Sequence, residues 1–188
     1  GIVSVQIGPS TSVANALQQT VIGPSASSTG QYNVAIGRNA TVQSSQTAGT
    51  AVGNDARVGS SQGGNNGVAV GTNARVERNA GTAIGPNAYV KNGDNATAVG
   101  MQANAWGASA LALGHGANAT SSNTIAIGTN TSASTQYEID IRTSAAGSLT
   151  YDTTNDWTFG AGVTMTDLTA SGATVVFSNL PTTDPVNA

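Results

Sequence analysis

Short runs of alternating small and aliphatic residues, each closed by a glycine, recur along most of the chain. Val34-Ala35-Ile36-Gly37 is followed by Thr50-Ala51-Val52-Gly53, Val68-Ala69-Val70-Gly71, Thr82-Ala83-Ile84-Gly85 and Thr97-Ala98-Val99-Gly100. Leu111-Ala112-Leu113-Gly114 and Ile125-Ala126-Ile127-Gly128 continue the series, and looser copies end at Gly8 and Gly23. The nine glycines are spaced 15, 14, 16, 18, 14, 15, 14 and 14 residues apart. Three residues after nearly every glycine stands Ala, as at Ala40, Ala56, Ala74 and Ala88, and two further on comes Val or Ala. No 3.6-residue apolar stripe persists, so a helical reading fails. A period near 14 with two short apolar stretches predicts two short strands and two turns per coil, with Gly where the chain must turn tightly. The prediction is an all-β parallel β-roll, a solenoid of about nine coils over 1–133. Stacking at strand spacing gives a rod of roughly 40 Å.

Two coils are longer, through 43–49 and 59–67, and all the length variation falls in one of the two turns. Extra residues in repeat proteins map to loops on one edge. The strand before each glycine reads apolar-Ala-apolar, so neither face is patterned for water. Ala69 and Ala83 are expected to face a narrow lumen. The opposite face needs a second apolar surface, and the simplest source is another copy of the chain.

Composition follows from this repetition. Among 188 residues, 24 are Gly, 8% are charged and 4% aromatic; an ordinary globular domain is about 25% charged. Absence of Cys removes disulfides, thiolate metal sites and Cys nucleophiles. Six Lys+Arg against nine Asp+Glu argue against a nucleic-acid partner. The chain starts on Gly1 rather than Met, which reads as a fragment or a processed product. No phosphate-cradling loop is present, because the glycines follow a structural period, and no cofactor is expected. His115 stands alone at a turn, so no metal or catalytic site is expected around it. Asp152 and Asp156 lie in an expected turn, where Asp is favoured anyway, and the chain reads as non-enzymatic.

Ala105-Trp106-Gly107-Ala108-Ser109-Ala110-Leu111-Ala112-Leu113-Gly114 resembles the head repeat of trimeric autotransporter adhesins of the YadA type. The resemblance covers about residues 1–133 and is specific from Gly37 to Gly128. It implies a trimeric left-handed parallel β-roll and a non-enzymatic surface adhesin that binds through its outer faces.

Residues 134–188 are patterned differently, as a small β-rich segment. Strands are expected over 137–142, 148–151, 157–159, 163–165 and 174–177, with a hairpin turn over 152–156. Residues 157–172 and 179–185 resemble β segments of bacteriophage tail fibres. No heptad run of a coiled-coil stalk is visible. These features favour a virion fibre module, of a phage tail or capsid, for host attachment or as a shaft. Its partners would be other virion proteins. The alternative is the head of a bacterial autotransporter on the cell surface, and a polysaccharide depolymerase of the tailspike kind comes third.

Binding candidates emerge from in-phase columns. Asn39, Asp55, Asn73, Asn87, Gln102 and Asn130 recur two residues after glycine and are expected to stack as a polar ladder. Four residues after glycine, Arg57, Arg75 and Tyr89 should point outward as one patch. With Gln62 and Asn65 of the long loop, they are the candidate contacts for a host cell-surface glycan or envelope component. The half of the chain up to residue 93 holds five of its six cations and is net positive.

Overall fold

The computed structural model describes residues 4–59 and 65–141, all within the first of the chain's two compact units, Gly1–Thr150. They wind into an all-β solenoid of about nine turns. The strands that end just before each glycine, from Val5–Ile7 to Ile125–Ile127, pair in parallel with a final strand, Ile139–Ile141, as a ten-stranded sheet. The strands that begin four residues after each glycine, from Ser12–Leu17 to Ser132–Ala133, form a second parallel sheet of nine. Register follows the repeat: Thr50, Ala51 and Val52 pair with Val68, Ala69 and Val70 across the longest glycine spacing.

The lumen between the sheets is filled by four inward positions per coil. The middle strand residue, as in Ala69 and Ala83, is fully buried, as expected. So are the Ala three residues after glycine and the Val or Ala five after it, such as Ala74 and Val76. The fourth position, four residues before glycine, is occupied by Gln19, Asn33, Gly49, Gly67, Gly81, Ala96, Ala110 and Thr124, all buried. Its size is matched to the facing residue. A Cβ on Gly81 would stand 2.8 Å from Val76 Cγ1 and 3.0 Å from Val90 Cγ1, and one on Gly49 would stand 2.8 Å from Val42 Cγ1. Where Ala105 and Ala119 replace the Val, Ala110 and Thr124 replace the Gly. At the N-terminal end the lumen turns polar. There the Asn33 carboxamide donates to the Thr29 carbonyl at 3.1 Å and accepts from the Gly49 N–H at 2.9 Å.

The period-setting glycines answer to two constraints, seen at Gly71. Its φ is 134°, and a Cβ there would lie 2.7 Å from the carbonyl carbon and oxygen of Gly85 on the next coil. Both the left-handed backbone and the coil spacing therefore demand a hydrogen side chain. Each turn also holds a residue in the left-handed helical region. In the first turn these include Asn39, Asp55, Asn73, Asn87 and Asn130, with φ between 54° and 56°. That conformation, which Asn and Asp adopt more readily than other side chains, explains the expected polar ladder better than side-chain stacking does. Asn39 Nδ2 does donate to Asp55 Oδ1 at 2.8 Å. The regular ladder is made by backbone, with the N–H of Asn73 donating to Asn54 and that of Asn87 to Thr72.

The extra residues over 43–49 do not form the expected loop. They extend the strand Thr41–Thr47, which pairs with Ser27–Gln31 through a bulge. The strand expected over 137–142 is Ile139–Ile141, and it pairs with Ile125–Ile127 as the last rung of the first sheet, beyond position 133. Its coil is the last of the described residues and brings carboxylates to the ladder. In the preceding coil the N–H groups of Asn118 and Thr120 donate to the carbonyls of Thr131 and Ala133. On the last coil Ser132 N–H donates instead to Asp140 Oδ2 at 3.1 Å. Ser134 and Thr135 N–H donate to Glu138 Oε2 at 2.7 and 2.8 Å. Asp140 is the register partner of buried Ala126, and Glu138 stands at the phase of Gln19, Asn33 and Thr124; among the described residues these side chains supply acceptors that carbonyls supply to the preceding coil. The strands and turn expected over 148–177 lie outside the described residues.

Candidate functional site

The second sheet turns the residue four after each glycine outward, because the next residue, five after, fills the lumen. Arg57, Arg75 and Tyr89 are therefore register partners on adjacent strands. Arg75 is exposed; Arg57 and Tyr89 are half-buried. The Arg75 guanidinium carbon sits 5.4 Å from the Tyr89 ring centroid, within cation–π range. The Tyr89 hydroxyl donates to Glu77 Oε1 at 2.6 Å. Partial burial pushes the Tyr89 phenol up to about 12, with the Glu77 hydrogen bond and charge adding to it and Arg75 opposing. Tyr89 thus stays a neutral donor over any ordinary pH range.

A shallow groove of about 420 Å³ runs over this face, lined by Asn39, Thr41, Gln43, Asp55, Arg57, Asn73 and Arg75. It continues into a smaller depression of about 270 Å³ that shares Asn73 and Arg75 and adds Asn87 and Tyr89. The sequence columns thus meet in space as one polar surface. Gln62 lies outside the described residues. Asn65 has its carbonyl oxygen engaged: Oδ1 accepts from Thr47 N–H at 2.9 Å, and its backbone N–H donates to Asn79 Oδ1 at 3.2 Å. This column continues with Asn79 N–H donating to Asp94 Oδ1 at 3.1 Å. Asn65 holds the second turn of one coil to the next.

Sequence reasoning missed a second outward column, six residues after glycine. It carries Glu77, Lys91 and Trp106 on successive coils. Lys91 Nζ stands 5.1 Å from the Trp106 ring centroid, and the exposed indole borders a depression of about 500 Å³ with Asn92, Thr120, Ser121, Ser122 and Gln136. The signal was available, since the two residues fall in one phase of the repeat. His115 is exposed in its turn, and among the described residues no three His, Asp or Glu side chains cluster. Asp152 and Asp156 lie outside the described residues.

A model of the YadA head domain repeat matches residues 63–88, 92–117, 107–131 and 119–137. The matched segments, which cover less than half of the chain, are similar to YadA head repeats. The match starts later than the glycine period, so Arg75 and Trp106 lie within matched segments, Tyr89 and Lys91 fall between two of them, and Arg38 and Arg57 lie before them. No curated protein matches the chain significantly. The likeness of the C-terminal segment to phage fibres has no counterpart in these matches.

Proposed function

We propose that the chain is a non-enzymatic attachment module of a homotrimeric surface fibre, joined through its first sheet and contacting its target through the second. One observation carries the assembly half of this reading. The last residue of every strand in the first sheet, from Ile7 to Ile141, is Ile, Val or Leu, and none is buried within the chain. Ile7, Ile84, Leu113 and Ile141 are 58%, 41%, 40% and 43% exposed. A contiguous apolar stripe of this length marks an interaction surface, and copies of the same stripe cover one another with no further partner. The YadA head repeats support the bacterial surface setting, and the C-terminal likeness supports the virion setting. Both use the module in the same way.

The test is binding of fluorescently labelled protein to cultured animal cells and to Gram-negative bacteria. Assembly multiplies weak sites, so breaking the stripe with Val70→Asp and Leu113→Asp should weaken binding at least tenfold through lost avidity. Binding to animal cells favours the bacterial adhesin, and binding to bacteria favours the virion fibre. Failure to bind either, or equal binding by the stripe variant, overturns the proposal.

A further inference from the structure

The groove over the second sheet contains two like charges on neighbouring rungs. Arg57 and Arg75 are Cα partners, which places their strands about 4.8 Å apart. Like charges directly opposite one another on a sheet are destabilising, so the pair needs a compensating anion. The nearby carboxylates are committed elsewhere. Asp55 accepts from Asn39 and pairs with Arg38 at 3.7 Å, and Glu77 accepts from Tyr89. Among the described residues neither Arg57 nor Arg75 makes an ion pair. Around them the groove offers the amides of Gln43, Asn73 and Asn87; Asn39 Nδ2 and Thr41 Oγ1 already donate, to Asp55 and to the Asn39 carbonyl. These groups suit the alternating donors and acceptors of sugar hydroxyls, and they leave little apolar surface for a peptide side chain. The Arg75 side chain is steadied against the Tyr89 ring, which lowers the entropy lost when it binds.

From this arrangement we infer that the groove is a subsite for an anionic saccharide, with a carboxylate or sulfate group seated between the Arg57 and Arg75 guanidiniums and its ring hydroxyls on the flanking amides. Guanidinium pairs bind such groups through charge-assisted, often bidentate hydrogen bonds. The inference deepens the attachment reading and rests on it. Arg57 lies outside the matched head repeats and Arg75 inside, so the site is a property of this chain rather than of each repeat. Copies of the chain in one assembly would present the site several times along an acidic polymer.

Calorimetric titration of the full chain with a sulfated heparin oligosaccharide, a polygalacturonate oligosaccharide and a neutral dextran oligosaccharide tests it, with inorganic sulfate as a competitor at constant ionic strength. At least one acidic oligosaccharide should bind, dextran should not, and sulfate should compete only weakly. Arg57→Gln/Arg75→Gln should lose at least tenfold in affinity while keeping its solution mass and melting at the same temperature or higher, since the like-charge contact is gone. Lys91→Gln, which removes an equal charge that lies over Trp106 and outside the groove, should change affinity less than twofold. A Lys91→Gln loss as large as that of the single Arg57→Gln variant would reduce the effect to general charge attraction and overturn the site. So would equal binding of dextran, or undiminished binding by the double variant. If cell binding persists in the double variant while acidic saccharides fail to bind the wild type, this inference falls and the attachment reading stands.

Discussion

Gly81→Ala is expected to destabilise the roll, and Val76→Ala is expected to rescue it. Gly81 is not in the left-handed region, so alanine brings no backbone strain and even gains about 0.4–1 kcal/mol by restricting the unfolded chain. The obstacle is space. The new methyl would stand 2.8 Å from Val76 Cγ1 and 3.0 Å from Val90 Cγ1, in a lumen closed on all sides. Overpacking of this kind costs about 1–3 kcal/mol. Val76→Ala alone removes two methyl groups from a fully buried site, a loss of about 1.6 kcal/mol in transfer energy that a cavity raises to about 2–3 kcal/mol. The double variant recreates the combination of one Val and one Ala at the positions flanking Ala96, with Val90 in its own coil and Ala105 in the next. It should therefore lie within about 1 kcal/mol of wild type, a coupling of about 2–3 kcal/mol between the sites. Equilibrium denaturation of the four proteins at one fixed concentration measures this cycle. Strictly additive losses would refute the idea that the facing positions divide a fixed lumen volume.

Three further outcomes follow from the same geometry. Gly71→Ala meets both a φ of 134° and the Gly85 carbonyl, so it should cost more than about 3 kcal/mol by combining strain with coil separation; a melting curve like that of wild type would contradict the stacking constraint. Glu138→Ala/Asp140→Ala leaves the N–H groups of Ser132, Ser134 and Thr135 without their carboxylate acceptors, so hydrogen exchange there should speed up roughly tenfold or more, at about 1.5 kcal/mol per charge-assisted bond; unchanged protection at these amides would remove the carboxylates' role as terminal acceptors. Tyr89 has its folded-state value raised from 10.0 to about 12, so its stabilising contribution is complete below pH 10 and disappears between pH 10 and 12; the phenolate absorbance titration of Tyr89→Phe should lack the step near pH 12, and its persistence would reassign that step to another tyrosine.

The fold was legible because one physical requirement repeats. A coil that must bring backbone against backbone needs Gly at a fixed phase, and a lumen this narrow admits little beyond Ala and Val, so period and composition together define the roll and place Ala69 and Ala83 correctly. What eluded the sequence depends on relations across turns. The match of Val76 to Gly81 links residues on opposite walls, and the left-handed φ of Asn73 or Asn87 is indistinguishable, in one sequence, from a stacked amide. Residues 43–49 read as a loop because their pattern lacks aliphatic alternation; pairing with Ser27–Gln31 overrides that weak local preference. The outward column of Arg57, Arg75 and Tyr89 was visible from phase alone. Its counter-charges were not, because Arg38 reaches Asp55 across coils and Tyr89 reaches back to Glu77. Asn65 looked available for a ligand because nothing in its loop reveals that Thr47 and Asn79 already bond it.

The central claim is that the uncovered aliphatic edge of the first sheet joins identical chains. Light scattering coupled to size separation, on folded protein at micromolar concentration, tests it most directly. The account predicts a mass three times the 18.5 kDa of one chain, falling to a single chain's mass in the Val70→Asp/Leu113→Asp variant. A well-folded wild-type monomer would contradict it.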